Sequence, residues 1–104
     1  MNKTELLSFI SKYSLGGNVE SVTWELDSNS IATRFVSTDK TLKGTVTMNS
    51  ADINTDIPEI GIYTTSQLVR MLSILDNDIT VSVNDTSIQV NDKYTDFSFV
   101  LADL

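Results

Sequence analysis

One short segment carries residue types that can do covalent chemistry. Residues Ser37, Thr38, Asp39 and Lys40 match the S-x-x-K pattern of acyl-enzyme serine hydrolases. In those enzymes the lysine lowers the cost of deprotonating the serine from the next helical turn. In this chain the segment falls in a loop between two predicted strands, and the 104 residues lack the rest of such an enzyme. We therefore interpret Asp39 and Lys40 as residues of a surface turn.

Two residue types that support most enzymatic and metal chemistry are missing. The chain contains no His and no Cys. Histidine is the commonest general base and transition-metal ligand, while cysteine provides disulfides and thiolate ligands. These absences exclude most hydrolase triads, cysteine nucleophiles and zinc ribbons. We expect a protein that is not an enzyme and uses no cofactor.

A group of acidic and amide side chains in the second half could suggest calcium binding: Asp76, Asp78, Asp85, Asn91 and Asp92. The sequence around them has no twelve-residue loop with the glycine and terminal glutamate that such a site requires. These residues are interpreted as turn residues at the ends of helices and strands, and no metal site is predicted.

Length and charge limit the class of protein. A chain of 104 residues with 40% apolar residues predicts one domain with a small core. Fourteen acidic and seven basic side chains give a net charge of −7, which repels a polyanion unless the positive charges lie on one face. The sequence shows neither a signal peptide nor an apolar run of about 18 residues, so we expect a cytoplasmic protein without membrane contact.

Two segments show the spacing of amphipathic helices. The first runs from Thr4 to Tyr13, with Thr4 as a possible N-cap, and the Gly16–Gly17 pair ends it. The second runs from Thr65 to Leu75, with Thr65 or Ser66 as its cap, and an Asp-Asn-Asp sequence follows it. Both helices are expected to bury one face and to expose the other.

Between and after these helices, apolar residues alternate with polar ones, which indicates half-buried strands. The alternating apolar sets are Val22, Trp24 and Leu26; Leu42, Val46 and Met48; Ile79, Val81 and Val83; and Phe97, Phe99 and Leu101. The two halves of the chain also superpose. Leu6, Phe9 and Ile10 correspond to Leu68, Met71 and Leu72, and the strand and turn residues correspond in the same order.

The repeat predicts an α+β domain with internal pseudo-twofold symmetry. Each copy is one helix followed by three antiparallel strands, over about 1–48 and about 66–104, with a connection over 49–65 in a single domain 1–104. Residues 59–63 supply one more strand before the second helix, and Met1 to Lys3 could play that part for the first. The two helices should lie on one side of the sheets. Five residues are expected to be buried: Trp24, Leu68, Leu72, Phe97 and Phe99.

This arrangement resembles the DNA sliding clamps, the ring-shaped processivity factors of replicative polymerases. The likeness is carried by residues 43–52, 59–63, 67–78 and 88–104, which are similar to the amino-terminal domain of clamps from T-even-like tailed phages. Clamp subunits contain two or three such domains and assemble into a closed ring of six domains. The resemblance implies a homo-oligomer, or one domain of a longer product, that encircles duplex DNA and works with a DNA polymerase and a clamp loader.

In a clamp the helices line the hole and face the phosphates. The resemblance therefore implies DNA-backbone contacts from Lys12 and Arg70, which lie off the apolar stripes, and from Lys3. We expect Lys12 and Arg70 to be neighbours on one solvent-facing surface of the helix layer. The alternative for these residues is that the helix faces are merely solvated. The alternative for the chain is a phage protein-interaction or virion-associated module with a clamp-like fold, whose helices pack against a partner and which does not contact DNA.

Overall fold

The computed structural model describes residues 1–17, 19–27, 29–37, 39–49 and 52–101. Residues 102–104, which carry the end of the clamp resemblance, lie outside this part of the chain. The described elements are α1 (Lys3–Ser14), a 3₁₀ turn (Leu15–Gly17), β1 (Val22–Asp27), β2 (Ser30–Val36), β3 (Lys43–Met48), β4 (Ile53–Asn54), β5 (Glu59–Ile62), α2 (Thr65–Ser73), β6 (Thr80–Val83), β7 (Ser87–Asn91) and β8 (Asp96–Val100).

The described strands form two sheets of four. The first has the order β3-β2-β1-β5, and all its neighbours are antiparallel. The second has the order β4-β6-β7-β8, in which β4 pairs in parallel with β6 and the other neighbours are antiparallel. A helix followed by three antiparallel strands therefore occurs twice, as the sequence predicts. The two-residue strand β4 has no counterpart in the sequence pattern.

The segment before each helix pairs with the other half of the chain. Strand β5, before α2, pairs with β1 of the first half. The segment Met1–Lys3, before α1, pairs with residues 77–79 of the second half. There the Lys3 N–H donates to the carbonyl of Asn77 (2.8 Å) and the Ile79 N–H donates to that of Met1 (3.0 Å). The two halves are thus interlocked by main-chain bonds between residues distant in sequence.

Helix α1 begins one residue earlier than the apolar spacing predicts. The side chain of Asn2, not that of Thr4, is the N-cap and accepts a hydrogen bond from the Glu5 N–H at 3.1 Å. The helix ends where Leu15 adopts a left-handed conformation with φ of 51°. Its buried face consists of Leu6, Phe9, Ile10, Tyr13 and Ser14.

Helix α2 begins at Thr65, as its spacing predicts, but its end and its N-cap differ from the prediction. It ends at Ser73 rather than Leu75, although Leu75 remains buried just beyond it. Its N-cap is Thr64, whose side chain makes no capping bond, so Thr65 and Ser66 lie inside the helix. The first two N–H groups of the helix, those of Thr65 and Ser66, are satisfied by Glu20 from the first half of the chain.

The core confirms three of the five predicted buried residues. Trp24, Leu68 and Leu72 are at most 3% exposed, and Trp24 packs edge-on against Phe9 and Tyr13 with ring centroids 5.6 and 6.4 Å apart. Sequence reasoning was wrong about Phe97 and Phe99, which are only half-buried. Their strand, β8, is one of the two edge strands of the second sheet, so no other described strand covers its outer side.

The same edge effect corrects a second expectation. Leu42 belongs to the alternating apolar set, but it precedes β3 and is 58% exposed. Strand β3 is one edge strand of the first sheet, as β8 is of the second. Strands β3 and β8 are equivalent in the repeat, and both present partly exposed apolar residues.

Candidate nucleic-acid interface

The helices form one antiparallel layer, and their outer faces are polar. The start of α1 meets the end of α2 where the Lys3 amine donates to the carbonyl of Leu75, and the other ends meet where the Tyr13 hydroxyl lies 3.0 Å from that of Thr65. The exposed side chains of the two helices are polar, and the charged ones among them are Glu5, Lys12 and Arg70. The exposed set includes Ser8, Ser11, Lys12, Ser66, Gln67, Arg70 and Ser73.

Lys12 and Arg70 are both exposed, but they border different depressions. Lys12 lies in a shallow depression of about 200 Å³ between α1 and β3, which Glu5 and Thr47 also line. Arg70 lies beside the groove between α1 and α2. The structure thus places the two exposed cations on opposite flanks of α1, each beside its own depression.

Lys3 has a structural contact that its sequence position does not reveal. It is half-buried, and its amine donates to the main-chain carbonyl of Leu75, just after α2. Cations near the last carbonyls of a helix stabilise it through those acceptors and through the helix dipole. Lys3 therefore joins the two helices, and the amine has further N–H donors besides the one used here.

Glu20 fixes the beginning of α2 from the connection between α1 and β1. Its carboxylate accepts hydrogen bonds from the Ser66 N–H at 3.2 Å and the Ser66 hydroxyl at 2.8 Å. Its main-chain carbonyl accepts from both the N–H and the hydroxyl of Thr65. A carboxylate at a helix N-terminus satisfies free N–H groups and interacts favourably with the helix dipole. Helical spacing does not predict this cap, because Glu20 and Ser66 are far apart in sequence.

A buried hydroxyl pair lies behind this cap. The Thr65 hydroxyl donates its proton to the Glu20 carbonyl. In the pair with Tyr13 it is therefore the acceptor, and the Tyr13 hydroxyl is the donor. Burial raises the pKa of Tyr13, and the hydrogen bond that its hydroxyl makes with Thr65 reduces that effect. The phenol is therefore neutral at physiological pH and acts as a structural hydrogen-bond donor.

The most basic part of the described surface is the β2–β3 hairpin. It contains three of the seven basic side chains, Arg34, Lys40 and Lys43, all exposed, and one acidic residue, Asp39. These three cations are not among the residues predicted to contact DNA. The net charge of each predicted hairpin would have revealed them, because the strands are evident from their alternation.

Ser37, Asp39 and Lys40 of the S-x-x-K segment lie at the turn of this hairpin. Ser37 is buried, and its hydroxyl donates to the Asp39 carboxylate at 2.7 Å and accepts from the Leu42 N–H at 3.1 Å. The hydroxyl of Thr41 donates to the same carboxylate. These bonds lower the pKa of Asp39 to about 2. Asp39 and Lys40 thus lie in a surface turn, as predicted, and the Ser37 hydroxyl donates to Asp39 rather than to Lys40.

The corresponding turn of the second half uses the same chemistry. The carboxylate of Asp92 accepts from the N–H groups of Asp76, Tyr94 and Thr95, and these bonds lower the pKa of Asp92. Within the described ranges no group of three or more acidic side chains could hold a metal ion. None of the helices described there is long and apolar enough to cross a membrane.

Comparisons with known proteins agree with this architecture. No protein-family model and no curated protein sequence matches the chain. A crystal structure of the DNA polymerase sliding clamp from Pseudomonas aeruginosa with a ligand matches it with a TM-score of 0.73 and 16% identity, over 99% of this chain and 29% of that one. A structure of DNA polymerase III subunit beta from the same organism gives a TM-score of 0.65 and 17% identity, over 98% and 29%.

The chain therefore has the α+β fold of a sliding-clamp domain. At this level of identity the likeness is one of fold. The chain spans about 29% of the length of the two clamp chains it matches.

Proposed function

We propose that this chain is a sliding-clamp domain that encircles duplex DNA as part of an oligomeric ring and tethers a polymerase without catalysing a reaction. The observation that carries the proposal is the fold match over 99% of the chain, with a TM-score of 0.73. The polar helix layer with its exposed cations supports it. A DNA polymerase and a clamp loader are the proposed partners, and the likeness to T-even-like phage clamps stays a prediction.

The proposed DNA contacts are loose and independent of base sequence. Lys12 and Arg70, with Lys3 as a third, would approach the phosphates from an outer helix face whose other side chains are mostly serine. Few cations mean few released counterions, and so a weak attraction that permits sliding. The net charge of −7 disfavours adhesion of the remaining surface to DNA.

Closing a ring from such domains requires contacts between them. The edge strands β3 and β8 supply suitable surfaces. In each sheet the hydrogen-bonded pairs alternate along the ladder. The main-chain groups of Lys43, Thr45 and Thr47 on β3 therefore point away from β2, and those of Asp96, Ser98 and Val100 on β8 point away from β7. Pairing β3 of one domain with β8 of the next joins two different surfaces, and repeated head-to-tail contacts of this kind can close a ring.

The charge distribution favours the same arrangement. The β2–β3 hairpin is basic in a chain with twice as many acidic as basic side chains. A basic edge attracts the acidic surface of another copy and repels a second basic edge. Association of unlike edges is therefore preferred over association of like ones.

The test is the mass in solution, measured by analytical ultracentrifugation over a range of concentrations. We expect a concentration-dependent closed oligomer of the isolated chain. Ser98→Pro removes an outward N–H of β8 without removing a bond to β7, so it should abolish assembly, while Ser98→Ala keeps the N–H and should assemble. A single-chain mass at every concentration, or assembly by the proline variant, would contradict ring formation through these edges.

A second function is favoured by one observation. Only a few cations face outward from the helix layer of an acidic protein. A protein-interaction or virion-associated module with this fold would use the helix layer against a protein partner and would not contact DNA. Monomers or dimers that show no salt-dependent affinity for duplex DNA would favour this alternative.

A further inference from the structure

A groove between the two helices has the size and lining of a small-molecule site. Its volume is about 540 Å³, within the range of about 300–1,000 Å³ typical of ligand pockets. Leu7 and Ile10 of α1 and Val69 of α2 line it, and both Leu7 and Val69 are only half-buried. Covering these side chains with an apolar group would remove further apolar surface from water.

The charged groups at the groove select the sign of a ligand. Glu20 and Arg70 both line it. The Glu20 carboxylate is engaged by the N–H and the hydroxyl of Ser66. The Arg70 side chain is exposed and makes no ion pair or hydrogen bond with any described residue. The cation is therefore the charged group available at this groove.

We propose that the groove binds small amphipathic carboxylates, with the apolar part of the ligand between Leu7, Ile10 and Val69 and its carboxylate on the Arg70 guanidinium. An arginine can hold a carboxylate through two parallel N–H···O bonds. The hydroxyls of Ser11 and Ser66, which also line the groove, are additional hydrogen-bond partners. This binding goes beyond the clamp function, since it needs neither a ring nor DNA.

The experiment uses 4-phenylbutyrate and its uncharged analogue 4-phenylbutanol as probes of the full chain. Titration followed by two-dimensional NMR should give saturable shifts of amide signals along α1 and α2. A ligand of this size with ordinary ligand efficiency is expected to have a Kd of about 1 mM. The acid should bind about three to five times more tightly than the alcohol, which is the contribution of a solvent-exposed ion pair.

Two variants separate the charge from the groove. Arg70→Gln should weaken phenylbutyrate binding by about three- to fivefold and leave phenylbutanol unaffected. Ser11→Leu places a larger apolar side chain at the groove and should weaken both probes. Lys93→Gln, which removes an exposed cation beside the Tyr94 ring, is the matched control and should bind both probes like the unaltered chain.

Three results would overturn the proposal. These are the absence of saturable shifts at the groove with 20 mM probe, equal affinity for the acid and the alcohol, and an unchanged affinity of Arg70→Gln for the acid. Shifts of the same signals on concentrating the protein without probe would assign the groove to a second copy of the chain instead. If Arg70 also contacts phosphates, phenylbutyrate should compete with duplex DNA. That competition rests on the proposed function, whereas binding of the probe does not.

Discussion

At the scale of single residues, one carboxylate connects two elements that local sequence leaves unconnected. Glu20 caps α2 in place of Thr64, whose side chain makes no capping bond. We expect Glu20→Ala to lower the free energy of unfolding by about 1 kcal/mol, because a helix cap and a favourable dipole interaction are lost together. Urea denaturation followed by circular dichroism measures this change.

The matched control for this prediction is another glutamate. Glu25 is exposed on β1 and lies directly opposite Glu59 of β5. Like charges in this position repel each other, so Glu25→Gln should leave the stability unchanged or raise it slightly. A cap at Glu20 would be refuted by equal stabilities of Glu20→Ala and the unaltered chain.

Asp39 makes stability depend on pH in the acid range. Its pKa is about 2 in the folded chain and about 3.9 in an unfolded one. A lowered pKa contributes stability that is fully present above about pH 4 and is lost as the pH falls toward 2. Asp39→Asn should therefore be less stable than the unaltered chain at pH 7, and the difference should shrink in acid.

Thermal unfolding at pH 7, 4 and 2.5 measures this difference. Asp92, at the corresponding turn, has a lowered pKa for the same physical reason and should behave in the same direction. A stability difference between Asp39→Asn and the unaltered chain that is independent of pH would show that the turn is held by other bonds.

At the scale of elements, apolar periodicity was sufficient for the helices and most strands. The spacing of Leu68 and Leu72 locates a buried helix face, and the alternation around Trp24 locates a strand. Periodicity carries no information about which strand lies next to which. The pairing of Met1–Lys3 with 77–79, the parallel strand β4 and the edge position of β8 were therefore beyond it.

The candidate site was predictable to a similar degree. Helical spacing correctly places Lys12 and Arg70 on exposed faces. It does not define the orientation in which α1 packs against α2 and β3. This orientation places the two cations beside different depressions. The bond from Lys3 to Leu75 depends on the antiparallel packing of the helices, which no local pattern encodes.

The difference between central and edge elements can be measured. Leu72 is fully buried in α2, while Phe99 is half-buried on the edge strand β8. Leu72→Ala is expected to cost about 2–5 kcal/mol because it removes buried contacts and leaves a cavity. Phe99→Ala should cost roughly 1–2 kcal/mol in the monomer, since much of the ring already contacts water. Denaturant unfolding of both variants measures these changes. A larger loss of stability in Phe99→Ala than in Leu72→Ala would contradict this order.

At the scale of the whole molecule, the acidic charge limits affinity for DNA that is not encircled. The isolated chain has a net charge of −7 and offers two or three cations to phosphates. We expect a Kd for a short linear duplex of about 10 µM or weaker, with a slope of log affinity against log salt of about −2 to −3. Fluorescence anisotropy at low salt tests this, and sequence-specific submicromolar binding would contradict retention by encirclement.

Reversing the charges of the two helix cations together tests whether a ring of these domains encircles DNA. Lys12 and Arg70 are exposed and form no ion pair with the described residues, so Lys12→Glu with Arg70→Glu should change the free energy of unfolding by less than about 0.5 kcal/mol per site. In a ring loaded on circular DNA, the same change places negative charge against the phosphates and should abolish retention. Lys93→Glu adds one reversed charge outside the helix layer and should retain its DNA. If the double variant is as stable as the unaltered chain and stays equally long on circular DNA, the helix layer is not the face that meets the duplex.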